Sequence, residues 1–325
     1  MRILVIACLL FAAQQPQSRL SPQARNYIDE ALHFMQENFA HRDKIDWDGL
    51  RRDTFAHASG ATASDMYDAI RFALTQLGDG HSFLQTPSPA ASSSNNKVLS
   101  PFANRRTTDP KIFGEAPHLV GQVAIPSFSG QDAGAFAARV QTAIGELAAK
   151  HPCGWAVDLR GNGGGNMWPM LAGVGPILGE GEVGAFLDSS GAKTRWFYER
   201  GAAGSRSSQR ETVSAQTSAP VVELPNATPV AVLIDGGTGS SGEAIAIAFR
   251  GRADTRFFGE KTYGVAQATF PYKLSDGAQL FLVVAVDLDR NGVEYPNGIQ
   301  PDQATSSESA LDAGMEWLLQ QQACR

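Results

Sequence analysis

Apolar positions in the first quarter of the chain recur three and four residues apart. Ile28, Ala31, Leu32, Met35 and Phe39 follow Ser21-Pro22, a pair suited to capping and starting a helix. A second helix is expected around Trp47, Leu50 and Phe55. A third runs from about Ser64 through Met66, Ile70, Leu74 and Leu77, where Gly78 stops it. Residues 19–86 therefore read as a small helical bundle. Pro87 to Asn96 is rich in Pro, Ser and Asn, so 87–116 reads as a linker or exposed loop. The period then changes. Val120 to Ile125, Trp155 to Leu159, Val230 to Ile234 and Thr255 to Phe258 are short apolar runs expected as strands. Helical patterns cover Ala135 to Ala149, Met167 to Leu178, the stretch with Ala244, Ile245, Ala248 and Phe249, and a closing stretch with Leu311, Met315 and Leu318. Phe270 to Leu274 and Gln279 to Val286 flank Ser275-Asp276-Gly277, a hairpin signal. Residues 190–225 are polar and rich in Ser, Ala and Arg, and are expected to form an insertion over the surface. Strand–turn–helix units dominate residues 117–325, so the fold class is α/β.

The N-terminus reads Met1-Arg2, an apolar run from Ile3 to Ala13, then Gln14-Gln15-Pro16-Gln17-Ser18. The run falls short of the ~20 residues that span a bilayer. A basic start, a short apolar region and a polar exit fit a signal peptide over 1–18, hence export to a periplasm or the exterior. Anchoring through this segment, a buried first element, or a lipoprotein site at Val5-Ile6-Ala7-Cys8 are the alternatives. With the signal removed, Cys153 and Cys324 remain, either paired in a disulfide or as two free thiols. Of 325 residues 43% are hydrophobic, 18% are charged and 33 are glycine. This composition excludes a disordered chain, a coiled coil and a disulfide-built miniature scaffold. A net charge of −6 argues against a nucleic-acid partner.

The glycine excess leads to the chemistry. Gly161-Asn162-Gly163-Gly164-Gly165-Asn166 and Gly236-Gly237-Thr238-Gly239-Ser240-Ser241-Gly242 each follow an expected strand and open an expected helix. Such turns aim several backbone N–H groups one way, and suit a bound anion or a transient oxyanion. The dinucleotide fingerprint fails because Asn166 stands where its third glycine belongs, and there is no Walker sequence. Ser240 and Ser241 either cap a helix or supply a nucleophile. Of six histidines only His81 lies on a glycine-punctuated turn, Leu77-Gly78-Asp79-Gly80-His81-Ser82. No Cys/His spacing suggests a metal site, and no cofactor is implied.

Trp155-Ala156-Val157-Asp158-Leu159-Arg160-Gly161-Asn162-Gly163-Gly164-Gly165 resembles the Asp-Leu-Arg-x-Asn-x-Gly-Gly signature of C-terminal processing (tail-specific) serine peptidases. Thr238-Gly239-Ser240-Ser241-Gly242-Glu243 is similar to their nucleophile turn. Gly259-Glu260-Lys261-Thr262-Tyr263-Gly264 and Gly298-Ile299-Gln300-Pro301-Asp302 resemble two further motifs in the same order. The resemblance implies a crotonase-like β-β-α superhelix. It also implies serine endopeptidase activity toward the C-terminal region of peptides, with Ser240 as nucleophile and an oxyanion hole from Ser241 with Gly164 or Gly165. Many relatives carry a lysine base directly after the glycine of the Thr-aromatic-Gly motif. Val265 stands there, and Lys261 is at a different motif position. The His81 turn instead looks like that of the nisin-resistance and tricorn-like branch, which lacks an inserted PDZ domain and uses a histidine base. By the same analogy Glu294 would orient His81, with Asp79 the other candidate. Glu243 is expected to complement the helix dipole, and Asp158 and Arg160 to fix the turn. The rival readings are an inactive peptide- or lipid-binding protein on the same fold, and an esterase using the same pair.

Overall fold

The structure, a computed structural model, describes residues 20–58, 66–87, 110–225 and 228–325. The signal segment expected at 1–18 and most of the linker expected at 87–116 lie outside the described residues. Val120, Trp155, Val157, Val230, Val232 and Leu233 are fully buried, as befits strands covered on both faces. They belong to a six-stranded sheet containing β2 (Lys111–Phe113), β3 (Val120–Ala124), β4 (Gly154–Asp158), β9 (Val230–Ile234), β10 (Thr255–Gly259) and β13 (Gln303–Ala304). Its order is β13-β10-β9-β4-β3-β2, parallel throughout except for β2 at one edge. Helices α4 (Ala133–Ala148), α5 (Met167–Leu178) and α6 (Ser241–Phe249) pack on one face around Val157, Val232 and Ile234. Helix α7 (Ala310–Leu319) covers the other, meeting Ala156, Ala231, Leu233 and Phe258. The class is mixed α/β, as expected.

A second sheet is antiparallel: β1 (Phe83–Gln85), β12 (Gln279–Leu288), β5 (Gly181–Asp188), β6 (Lys193–Glu199), β7 (Ala202–Arg206) and β8 (Glu211–Gln216) in that order, with β11 (Gln267–Lys273) paired to β12. Residues 193–216 are thus three of its strands and not a polar surface insertion. Trp196, Phe197 and Tyr198 are buried, and the small residues Ala202 and Ala203 let β7 lie beneath α5. Composition hid this because the polar positions face solvent while the few large apolar side chains are clustered.

Helices α1 (Pro22–Asn38), α2 (Trp47–His57) and α3 (Tyr67–Leu77) form where periodicity placed them. Ser21 Oγ caps α1 through the Ala24 N–H at 3.1 Å, and Gly78 ends α3 at φ 72°. Their apolar faces share a core with Leu274, Leu280, Leu282 and Val283 of the β11–β12 hairpin. Of the two states open to Cys153 and Cys324, the disulfide is the one formed, tying the C-terminus to the entry of β4. No helix among the described residues is long and apolar enough to cross a membrane.

Candidate active site

Strands β4 and β9 are parallel neighbours with Asp158 opposite Leu233, so their carboxyl ends release the two glycine-rich turns side by side. Ligand sites of open parallel sheets form at such ends. Hydrogen bonds join the turns. Asp235 Oδ1 accepts the Gly161 N–H at 2.8 Å and the Gly237 N–H at 3.0 Å. Thr238 Oγ1 donates to Leu159 O at 2.9 Å, and the Gly239 N–H donates to Asn162 O at 2.9 Å. Behind them Arg160 pairs with Asp158 at 2.7 Å, both side chains buried, which fixes the first turn to its strand.

Ser240 sits at the N-cap of α6 with φ 51° and ψ −123°. A non-glycine residue held at positive φ costs ~1–3 kcal/mol and tends to mark a functional turn. Gly164 lies against it: a Cβ at 164 would stand 2.8 Å from Ser240 Cβ and 2.9 Å from Ser241 N, and φ is +100°. Gly165 (φ +116°) bridges Phe128, with the Asn166 N–H donating to Phe128 O at 2.7 Å and the Phe128 N–H to Gly164 O at 3.3 Å. Peptide groups alternate along such a bridge, so the N–H and C=O of Gly165 itself face away from Phe128. Its C=O accepts Ser241 Oγ at 2.6 Å. The Gly164 N–H already donates to Asn162 Oδ1 at 3.0 Å.

Sequence reasoning placed Glu243 in the first turn of α6, where it lies, but missed its link to a second turn. It is wholly buried, and its carboxylate accepts four hydrogen bonds: from Ser240 N–H (3.1 Å), Thr262 Oγ1 (2.5 Å), Gly264 N–H (2.9 Å) and Val265 N–H (2.8 Å). It therefore ties the Ser240 turn to the Thr262–Val265 turn as well as sitting in the first turn of α6. The Ser-x-x-Glu spacing of a capping box was the available signal. Burial raises the Glu243 carboxyl above its ordinary value, and those four bonds only partly offset it. Asp287 of β12 is fully buried, and burial together with the Glu243 charge raises its carboxyl well above the usual range. Val265 occupies the place of a lysine base, and Lys261 is exposed.

His81 enters from the other core. Its N–H and that of Ser82 both donate to Asp79 Oδ1 at 2.6 Å, an Asx turn that aims the chain into β1. Extending the β1–β12 register puts His81 opposite Val283, and the Val283 N–H donates to Ser82 Oγ at 2.9 Å. Nδ1 of His81 is buried and has no hydrogen-bond partner among the described residues. Burial lowers its pKa below the ordinary value, partly offset by the Asp79 charge. Glu294 is exposed and bridges Leu288, five residues further along β12 than Val283. That is roughly 17 Å of strand at ~3.4 Å per residue, so the register does not make Glu294 a neighbour of His81. The carboxylate beside His81 is Asp79.

The sequence profile of peptidase family S41 matches residues 119–305, more than half of the chain. The chain belongs to that family. It is a serine-type peptidase, a hydrolase. Over 304 residues the peptidase is 29% identical to the nisin-resistance protein of Lactococcus lactis subsp. lactis, covering 92% of this chain and 88% of that one. It is 28% identical over 224 residues to the chloroplastic C-terminal processing peptidase of Tetradesmus obliquus, with 64% of this chain and 43% of the relative covered. In shape it is similar to a lipoprotein from Streptococcus agalactiae (TM-score 0.66, 21% identity, 97% and 99% of the two chains). It is also similar to the photosystem II D1 C-terminal processing protease (TM-score 0.61, 19% identity, 94% and 99%). The last two share its fold.

Proposed function

We propose that the peptidase is an exported endopeptidase that cleaves toward the C-terminal region of peptides with Ser240 as nucleophile and His81 as base. The observation that carries this reading is Ser240 in a strained turn at a helix N-terminus, packed on Gly164. A ring nitrogen of His81 takes the Ser240 hydroxyl proton as Oγ bonds to the scissile carbonyl carbon. The carbonyl electrons move onto oxygen, held by the N–H groups of Ser241 and Gly165. The tetrahedral species collapses by expelling the amine, which takes the proton from His81. Water then attacks the acyl-enzyme by the same route, releasing the new carboxylate and free serine. A neutral His81 at pH 7, favoured by its burial, is the form this role needs.

Asp79 supplies the charge beside the base in this scheme, and Glu294 stands outside it. The strand–helix units β3–α4, β4–α5 and β9–α6 support a crotonase-like superhelix over 117–325, with the helices of 19–86 carrying the base. Export is supported by the Cys153–Cys324 disulfide, which persists in oxidising compartments, and by the name of the streptococcal lipoprotein of like fold. The test is cleavage of a peptide library by wild type, Ser240→Ala and His81→Ala. Loss of cleavage in both variants, with the thermal midpoint retained, is expected. Full activity in either one sinks the pair.

A further inference from the structure

The residues assigned as base and nucleophile grow from different hydrophobic cores, and β12 is the strand between them. At its start, the turn joining β11 to β12 carries Asp276. Tyr27 of α1 donates its hydroxyl to Asp276 Oδ1 at 2.9 Å, and Tyr67, the first residue of α3, donates to Asp276 Oδ2. The Ala278 N–H adds a bond to Oδ1 at 2.9 Å. Beside them Ser275 gives Glu30 Oε2 its N–H at 3.2 Å and its hydroxyl at 2.7 Å. Burial and the carboxylate push the Tyr67 hydroxyl up to about 12, and Tyr27 moves the same way. Burial raises the Asp276 carboxyl, but the bonds from Tyr67, Ala278 and Tyr27 bring it below its usual value. Near neutrality the phenols therefore remain donors and the carboxylate an acceptor.

The other end of β12 borders the segment that Glu243 ties to Ser240. The Asp287 N–H donates to Ala266 O at 3.2 Å, next to Val265, whose N–H is bound by the Glu243 carboxylate that also holds Ser240. Against this, the hold of β12 on the His81 segment is slender. Strand β1 pairs over three residues, supplemented by Ser82 Oγ, which accepts the Val283 N–H at 2.9 Å. So short a ladder is marginal by itself, and a slip of one residue would turn His81 to the opposite face of the sheet.

We propose that the Tyr27–Asp276–Tyr67 cluster is a positioning device. It locks the helices that lead into His81 onto the hairpin that leads to Ser240, and so sets the approach of base to nucleophile. The inference rests on the Ser240–His81 reading.

The test uses the full chain carrying Asp276→Asn, and separately Tyr27→Phe with Tyr67→Phe, assayed well below the thermal midpoint. A kcat lowered about tenfold or more with KM within about twofold is expected, since small misplacements of reacting groups act on kcat. The acid limb of kcat/KM should also move up toward the ordinary histidine value as His81 loses burial. Wild-type kcat and acid limb, with only a lower thermal midpoint, would reduce the cluster to a structural tie and overturn the proposal. Tyr67→Phe alone, which removes one hydroxyl at a half-buried position, gives the same readouts should the others fail to fold. Ser240→Ala run in parallel separates the two ideas. If it stays active, the nucleophile assignment falls and takes this proposal with it. If it is inactive while the cluster variants behave as wild type, the positioning role alone falls.

Discussion

Glu243 Oε2 accepts the backbone N–H of Ser240 at 3.1 Å, the same oxygen that takes the Val265 N–H at 2.8 Å. One buried carboxylate thus holds the Ser240 turn against a segment more than twenty residues away. Glu243→Gln swaps an acceptor for a donor facing N–H groups. Hydrogen bonds to charged groups are worth ~1.5–3 kcal/mol each, so a loss of about 2–4 kcal/mol is expected in urea unfolding. kcat should fall with it, because the Ser240 turn loses its tether.

Gly164→Ala tests the contact between the two turns. The new Cβ would lie 2.8 Å from Ser240 Cβ at a backbone angle that L residues rarely adopt. Displacement of Ser240 and Ser241 from the proposed oxyanion site should lower kcat ~10²–10³-fold, as loss of an oxyanion donor does. Active-site titration with a fluorophosphonate, compared with the melting curve, separates a misplaced serine from an unfolded chain.

In the proposed scheme the pH profile reports on His81. Burial holds its pKa below 6.5, so the neutral base is lost only as pH falls beneath that value, and the acid limb of kcat/KM should lie there. The Asp79 charge raises that pKa, so Asp79→Asn, which keeps an acceptor for the turn, should shift the limb lower. Glu294→Gln should leave the limb unmoved and kcat within about twofold. A limb displaced by Glu294→Gln would restore it as the orienting group.

The Cys153–Cys324 bond closes a sequence separation of 171 residues. Replacing both cysteines with serine should cost ~2–4 kcal/mol, mostly by freeing the unfolded chain. The disulfide lies at the amino ends of the parallel strands, away from the turns, so kcat of the folded variant should match wild type.

Local pattern was enough for much of the fold. Helices α1 to α3 and the strand–turn–helix units were legible because burial on one face imposes its period on the residues themselves. The turn around Ser240 was legible as a strand–helix turn from its glycines, though local pattern alone left capping and nucleophile both open. Residues 193–216 were not, since antiparallel pairing depends on which strand lies alongside, and Ser, Ala and Arg do not announce it. Glu294 looked poised beside a motif, yet register along β12 separates it from His81.

By itself the sequence determined the glycine turns, the serine at a helix start and the lack of a lysine after Gly264, all set by local backbone demands and residue chemistry. Only the tertiary structure decided that Gly164 packs against Ser240, that Glu243 binds two turns together, and that the helices before His81 are pinned by Asp276. Each of those pairs residues across turns or across hundreds of positions, and such contacts exist only once the sheets have closed.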